Sequence, residues 1–280
     1  MRRTPTLARS MRVDLIAFGG FLLAISGVLG GLVLDGGHIA DIAQASAAVI
    51  VLGGTIGAVV LTTPRPILKS ALGKLRLVFS EHDNAPREMI DRISALATKA
   101  RRHGLVSLER DLEGTEDPFL SKTLMLAIDG LEPDKLRKMM EMEMRLEAAE
   151  AETDAGVFEA AGGYAPTFGI VGAVMGLIQV MKHLDNFSQV GAGIAVAFVA
   201  TLHGVGSANL LFLPIAQRIR LRSQQSIRAE QLILEGIIAM IEQMHPWLIR
   251  QRLEAFGREG WRASGRPIEI PEPAARIASA

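Results

Sequence analysis

Residues 160–217 read AAGGYAPTFGIVGAVMGLIQVMKHLDNFSQVGAGIAVAFVATLHGVGSANLLFLPIAQ. Two apolar runs are joined by a polar hinge, Lys182, His183, Leu184 and Asp185. The first, 160–181, has no charged residue in 22 positions; the second, 186–217, has none in 32 with His203 neutral. Each exceeds the roughly 20 residues needed to cross a bilayer core. Small residues and hydroxyls thread both runs: Thr167, Gly169, Gly172, Ala173 and Gly176, then Gly191, Gly193, Thr201, Gly204, Gly206 and Ser207. Pro166 and Pro214 stand near what should be the cytoplasmic ends. A pair that only anchored a domain would be greasier and less varied, so the expectation is that this pair lines something.

Working outward, residues 15–34 form a charge-free run of 20 behind Arg2, Arg3, Arg9 and Arg12. It is longer than a signal-peptide core and lacks a small-residue cleavage site, so it reads as a retained membrane helix. A polar turn at 35–41 leads to a second charge-free run of 22, residues 42–63, stopped by Pro64 and Pro66. Gly53 and Gly57 stand four apart, a spacing that allows close helix approach or reflects only glycine richness. Residues 65–159 turn soluble in character, with helical patterning over 87–103 ended at Gly104. A long helix from Pro133 is expected to run on into the third crossing, with Leu136, Met139, Met140, Met144 and Leu146 as a packed stripe. After the fourth run, Arg218 opens an arginine-rich helix; 232–244 is too short and too acidic to span; the chain beyond Phe256 reads as a disordered tail.

This predicts an all-α membrane protein of four transmembrane helices, with a helical cytoplasmic domain between the second and third. The segments are an N-terminus (1–12), a hairpin (13–64), the cytoplasmic domain (65–159), the pair 160–217, and a helix with tail (218–280). Of 30 Lys and Arg, 29 lie in 1–12, 65–159 and 218–276; the opposite turns hold only Lys182. By the positive-inside rule both termini are cytoplasmic.

Composition excludes other classes. The hydrophobic share is 49% with zero net charge, so nothing draws the chain to nucleic acid. With no cysteine there is no disulfide framework and no thiolate site. The six histidines lack metal-ligand spacing, and no nucleophile–base pair or phosphate loop is visible, so an enzyme, a metal and a cofactor are not expected. None of the four runs carries Asp, Glu, Lys or Arg in its interior, although ion-translocating proteins place an ionisable residue there. If the chain conducts ions, the carboxylate arrives on another polypeptide. Of the polar groups inside the two runs, His203 is the one that could hold a proton near neutral pH, and packing competes with proton handling as its role.

Three motifs carry a resemblance. APTFGIVGAVMGLI (165–178), ATLHGVGSANLLFLPIA (200–216) and RRHGLVSLE (101–109) resemble the third-helix, fourth-helix and cytoplasmic charged motifs of MotA/PomA-type flagellar motor stator subunits. The order of two helices, cytoplasmic domain and two helices is similar too. The resemblance implies an inner-membrane ring, a pentamer, of A-type chains around MotB-like helices that supply a membrane aspartate. It implies that Arg101 and Glu109 engage a FliG-like rotor protein, that Pro166 and Pro214 couple ion binding to movement, and that Thr201 faces the ion path. Sodium-type members carry threonine where this chain has Ala173, which implies protons here. His203 departs from the family pattern of tyrosine or an apolar residue. The alternatives are an ExbB/TolQ-like energiser of outer-membrane processes, against which the hairpin argues, and a membrane scaffold without ion flow.

Overall fold

A computed structural model describes residues 12–13, 15–78, 80–81, 86–112, 114–115 and 117–262, with side chains over 18–75, 87–112, 114–115 and 117–256. Arg2, Arg3, Arg9 and the tail residues 263–280 lie outside the described residues. Among the described residues the chain is helical save for one antiparallel pair of two-residue strands, β1 (Arg12–Val13) and β2 (Ser80–Glu81), with Arg12 opposite Glu81. The helices in order are α1 (Leu15–Leu34), α2 (Ile39–Ile42), α3 (Ala45–Thr62), α4 (Arg65–Val78), α5 (Pro86–His103), α6 (Glu109–Leu112), α7 (Pro118–Ile128), α8 (Pro133–Lys182), α9 (Phe187–Ile241) and α10 (Pro246–Arg262).

Their boundaries follow from local chemistry. Proline opens α5, α7, α8 and α10, where its missing N–H costs nothing. Asp117 caps α7 by accepting from the N–H groups of Phe119 and Leu120, both at 3.0 Å. Gly104 ends α5 at φ +80 and Gly130 follows α7 at φ +81, a backbone region that favours glycine. α3 and α9 each contain one widened π turn, Val49–Gly53 and Ala208–Phe212.

Two compact units result. The first comprises residues 1–82 and 149–222: α1 to α4, the later part of α8 and the earlier part of α9. Its interior is built mostly from small and branched residues, Val59, Ala71, Ala151, Ala155, Ala161, Ala216 and Ile219 with the aromatic Phe158 in one cluster, Ala47, Val51, Val199 and Ala200 in another. Among the described residues three helices are long and apolar enough to cross a membrane, α3, α8 and α9; the described apolar stretch of α1, Phe18–Leu34, is shorter. Among the described residues, neither Gly53 nor Gly57 comes within 4 Å of another helix at its Cβ position. Gly54 does, because a Cβ there would fall 2.3 Å from the Phe168 ring.

The second unit, residues 83–148 and 223–280, has a conventional large-residue core. Ile93, Leu108, Leu120, Leu124, Leu136, Met140 and Met144 meet Ile233, Leu234, Ile237, Ile238, Ile249 and Leu253. The apolar stretch 232–244 is thus interior to a helical domain. The packed stripe on α8 is narrower than expected: Leu136, Met140 and Met144 are buried, whereas Met139 and Leu146 are exposed. The reason is register, since 136, 140 and 144 repeat every four residues on one face and 139 and 146 fall beside it. α8 is one helix from Pro133 to Lys182, as its pattern predicts. α10 continues past Phe256 to Arg262, so the tail expected from Phe256 onward begins inside a helix.

Candidate functional site

The seam between α8 and α9 is made by backbone meeting backbone. A Cβ on Gly204 would sit 2.7 Å from the Ala165 carbonyl oxygen, 3.0 Å from Gly169 Cα and 3.2 Å from Pro166 Cα. A Cβ on Gly176 would sit 2.7 Å from the Gly193 oxygen and 2.8 Å from the Ala197 nitrogen. Gly169, Gly172, Gly176, Gly193 and Gly204 therefore serve close approach, the packing mode available where apolar burial from water cannot drive association. This seam brings Pro166 and Thr201 together: a Cβ on Gly169, one turn after Pro166, would lie 3.4 Å from Thr201 Cα. Ala173 follows one further turn along α8 and is half-buried.

Pro166 lies inside α8, which runs through it unbroken. It has no N–H for the Gly162 carbonyl, so the helix has one fewer hydrogen bond there. Beside it, Thr167 Oγ1 donates back to the Tyr164 carbonyl at 2.6 Å. Pro214 likewise offers no donor to Leu210, and the π turn Ala208–Phe212 stands immediately before it. Thr201 is exposed, and its hydroxyl donates to the Ala197 carbonyl at 3.1 Å, leaving its lone pairs free to face outward. The outer faces of this pair are mostly apolar, with Ile170, Val174, Leu177, Phe198 and Val205 exposed, and Thr167, Gln179 and Asn209 are exposed among them. His203 Nε2 bonds to the Ile42 carbonyl at 2.8 Å, which ties α9 to the end of α2, while Nδ1 is buried with no partner.

Three carboxylates that sequence reading missed stand on α8 before Pro166. Arg220 of α9 donates through Nε and Nη2 to Glu152 at 2.7–3.0 Å, and also to Glu159. That hydrogen bond holds the Glu152 carboxyl below its ordinary range, and Glu152 and then Glu159 hold the guanidinium more firmly charged. Between them Asp154 is buried at 2% exposure, accepting from Ser70 Oγ at 2.8 Å and pairing with Lys74 Nζ of α4 at 3.0 Å. The signal was present: Asp154 shares a helix face with Ala151, Ala155 and Phe158, so a lone acid sits in an apolar stripe.

Arg101 and Glu109 are carried by the other unit, at the end of α5 and the start of α6, and both are exposed. Gly104 makes the turn between them. Arg101 Nη1 donates to the Gln243 carbonyl at 3.4 Å, and Gln243 is held at φ 57 in the turn between α9 and α10. No charged partner is described for Glu109. Among the described residues no group of three His, Asp or Glu is placed to hold a metal ion.

This arrangement has known counterparts. Residues 111–231 match the MotA/TolQ/ExbB proton channel family, and residues 18–104 match the Motility protein A N-terminal family. Motility protein A of Bacillus subtilis is 34% identical over 86% of this chain and 90% of its own length. Among solved structures, C. jejuni MotAB superposes with a TM-score of 0.83 at 30% identity, covering 87% of this chain and 95% of the other. The flagellar MotAB stator complex from Bacillus subtilis gives 0.80 at 33% identity, covering 89% and 98%.

Proposed function

The chain belongs to the Motility protein A family, and from that premise we propose how its residues turn ion flow into rotation. It is a flagellar motor stator subunit of the inner membrane, it forms a channel with a MotB-type partner, and it is not an enzyme. The hairpin region matches the Motility protein A N-terminal family, which favours the stator over an ExbB/TolQ-like energiser.

The observation that carries the mechanism is the glycine seam that sets Pro166 beside Thr201 in a wall with no acid of its own. In our reading the α8–α9 pair is one fifth of a ring, a pentamer, around partner helices whose aspartate binds the ion. Thr201 presents an oxygen to the ion path. Pro166 and Pro214, each lacking a backbone donor, are where α8 and α9 bend as the aspartate changes charge. The Arg220 and Lys74 pairs bind the three helices together on the cytoplasmic side of those bends. Movement then reaches Arg101 and Glu109, which engage charged groups of a FliG-like rotor protein. Residues 13–64 and 160–217 make four spans, with 1–12, 65–159 and 218–280 cytoplasmic. Ala173, small and apolar beside the path, supports protons as the ion.

A stator-deletion strain complemented with variants tests this. Arg101→Glu and Glu109→Lys are expected to abolish or sharply reduce swimming while the protein reaches the membrane at normal level; failure of insertion would make these residues structural. Swimming is expected to collapse under a protonophore and to ignore external sodium. Sodium-tracking, protonophore-resistant motility would overturn the assignment of the ion.

A further inference from the structure

The surface around Arg101 has an apolar component that its charges do not explain. α10 buries one face, with Ile249 and Leu253 at 1% and 0% exposure. Its first turn points the other way: Trp247 and Leu248 remain 58% and 46% exposed. A single surface leucine is ordinary, but adjacent large apolar side chains led by a tryptophan are what interfaces use as anchors.

Their position is fixed relative to Arg101. Arg101 Nη1 reaches the Gln243 carbonyl, four residues before Trp247, at 3.4 Å. Arg250 Nη2 reaches Asp91 Oδ1, ten residues before Arg101, at 2.7 Å. α10 therefore runs antiparallel to α5, and Trp247 falls between the two ties, alongside the last turns of α5. Val106, 66% exposed, follows just past the Gly104 turn.

Charge identifies the occupant. Nearby ions are satisfied within the chain, Lys99 by Asp111 and Arg252 by Glu235, each at 2.7 Å. Arg101 has only a carbonyl, and no ion pair is described for Arg102, Arg110 or Glu109. Three outward cations stand against Glu109 and the exposed Glu242 beside Gln243, and the excess of cations favours an acidic partner and steers its approach. Exposed charge pairs hold weakly, so grip must come from elsewhere.

We infer that Trp247, with Leu248 beside it, is the apolar anchor of the rotor-facing surface, seating an apolar side chain from an acidic segment of the rotor protein. This rests on the reading of Arg101 and Glu109 as rotor contacts. The charges bring the partner in, and the indole supplies contact area at small conformational cost.

The test uses the full chain with its partner subunit in a motile host lacking its own stator. Trp247→p-benzoylphenylalanine is expected to give, on irradiation, an adduct with the rotor protein that disappears in a rotorless strain. An adduct with a second copy of this chain alone, or none with the rotor, would overturn the anchor. Trp247→Ser is expected to cut torque about tenfold, as loss of an interface anchor does, with membrane level unchanged and Trp247→Phe close to wild type. Should Trp247→Ser lower the membrane level, the adduct decides. If Arg101→Glu stops rotation while Trp247→Ser turns normally, the anchor fails and the rotor reading stands. If Arg101→Glu itself rotates normally, the rotor reading fails.

Discussion

Two buried carboxylates have opposite electrostatics. Asp154 is surrounded by donors, Ser70 and Lys74, and ties α8 to α4. Glu230 is 8% exposed with Oε1 3.4 Å from Ser226 Oγ and Oε2 without a hydrogen-bond donor. Burial, then the neighbouring Glu147 carboxylate, and more distantly Asp117, push its carboxyl up from 4.5 to about 8. A carboxyl raised on folding contributes stability that is whole below its unfolded pKa and is lost as pH rises through the folded one. The window here runs from about 4.5 to about 8. Glu230→Gln is therefore expected to raise the melting temperature of the detergent-solubilised complex at pH 8.5, by on the order of 1–3 kcal/mol of stability. At pH 5 it should change little, and an equal effect at both pH values would refute the assignment. Asp154→Ala should act in the other direction, costing about 1–3 kcal/mol by stranding Lys74 and Ser70. Neither role is legible in the sequence, because whether a buried acid meets a cation or another acid depends on helices 70 or more residues away. Arg101 and Glu109 stood out by motif, whereas the Gln243 turn that holds Arg101 did not.

At the scale of elements, the α8–α9 seam tests whether close approach is what the glycines are for. Gly204→Val would drive a side chain into the Ala165 carbonyl and Pro166, and over-packing of this kind costs about 1–3 kcal/mol or more. The expected result is a chain that inserts but fails to support rotation, or is lost from the membrane. Gly206→Ala is the control, since no atom of the described residues lies within 4 Å of a Cβ there. Equal tolerance of both changes would mean that the seam opens freely. The apolar lengths and the small-residue content of these helices were readable from composition and period. The pairing was not: the GxxxG spacing pointed to Gly53 and Gly57, and the close contact falls on Gly54. The π turn in α3 at Val49–Gly53 locally alters the helical period on which that spacing argument depends. The continuity of α9 from Phe187 to Ile241 was also hidden, because its apolar start, arginine-rich middle and apolar end read as three segments.

At the scale of the whole chain, charge does what packing cannot. Residues 232–244 fold into a core with 86–148, a return no local pattern announces, whereas the proposed assignment of faces rests on where 29 of 30 basic residues lie. The chain has no cysteine, so any introduced thiol reports its own position without background. Leu184, in the hinge between α8 and α9, is exposed, as is Arg102 after α5. With four spans and cytoplasmic termini, Leu184→Cys should react with an impermeant maleimide on intact spheroplasts. Arg102→Cys should react only after the membrane is opened. The reverse labelling pattern would invert the topology and put Arg101 and Trp247 out of reach of any rotor. Labelling of both in intact spheroplasts would mean that α8 does not cross the membrane between them. The two positions together therefore test the α8 crossing and the rotor-facing assignment in one experiment, before any measurement of torque.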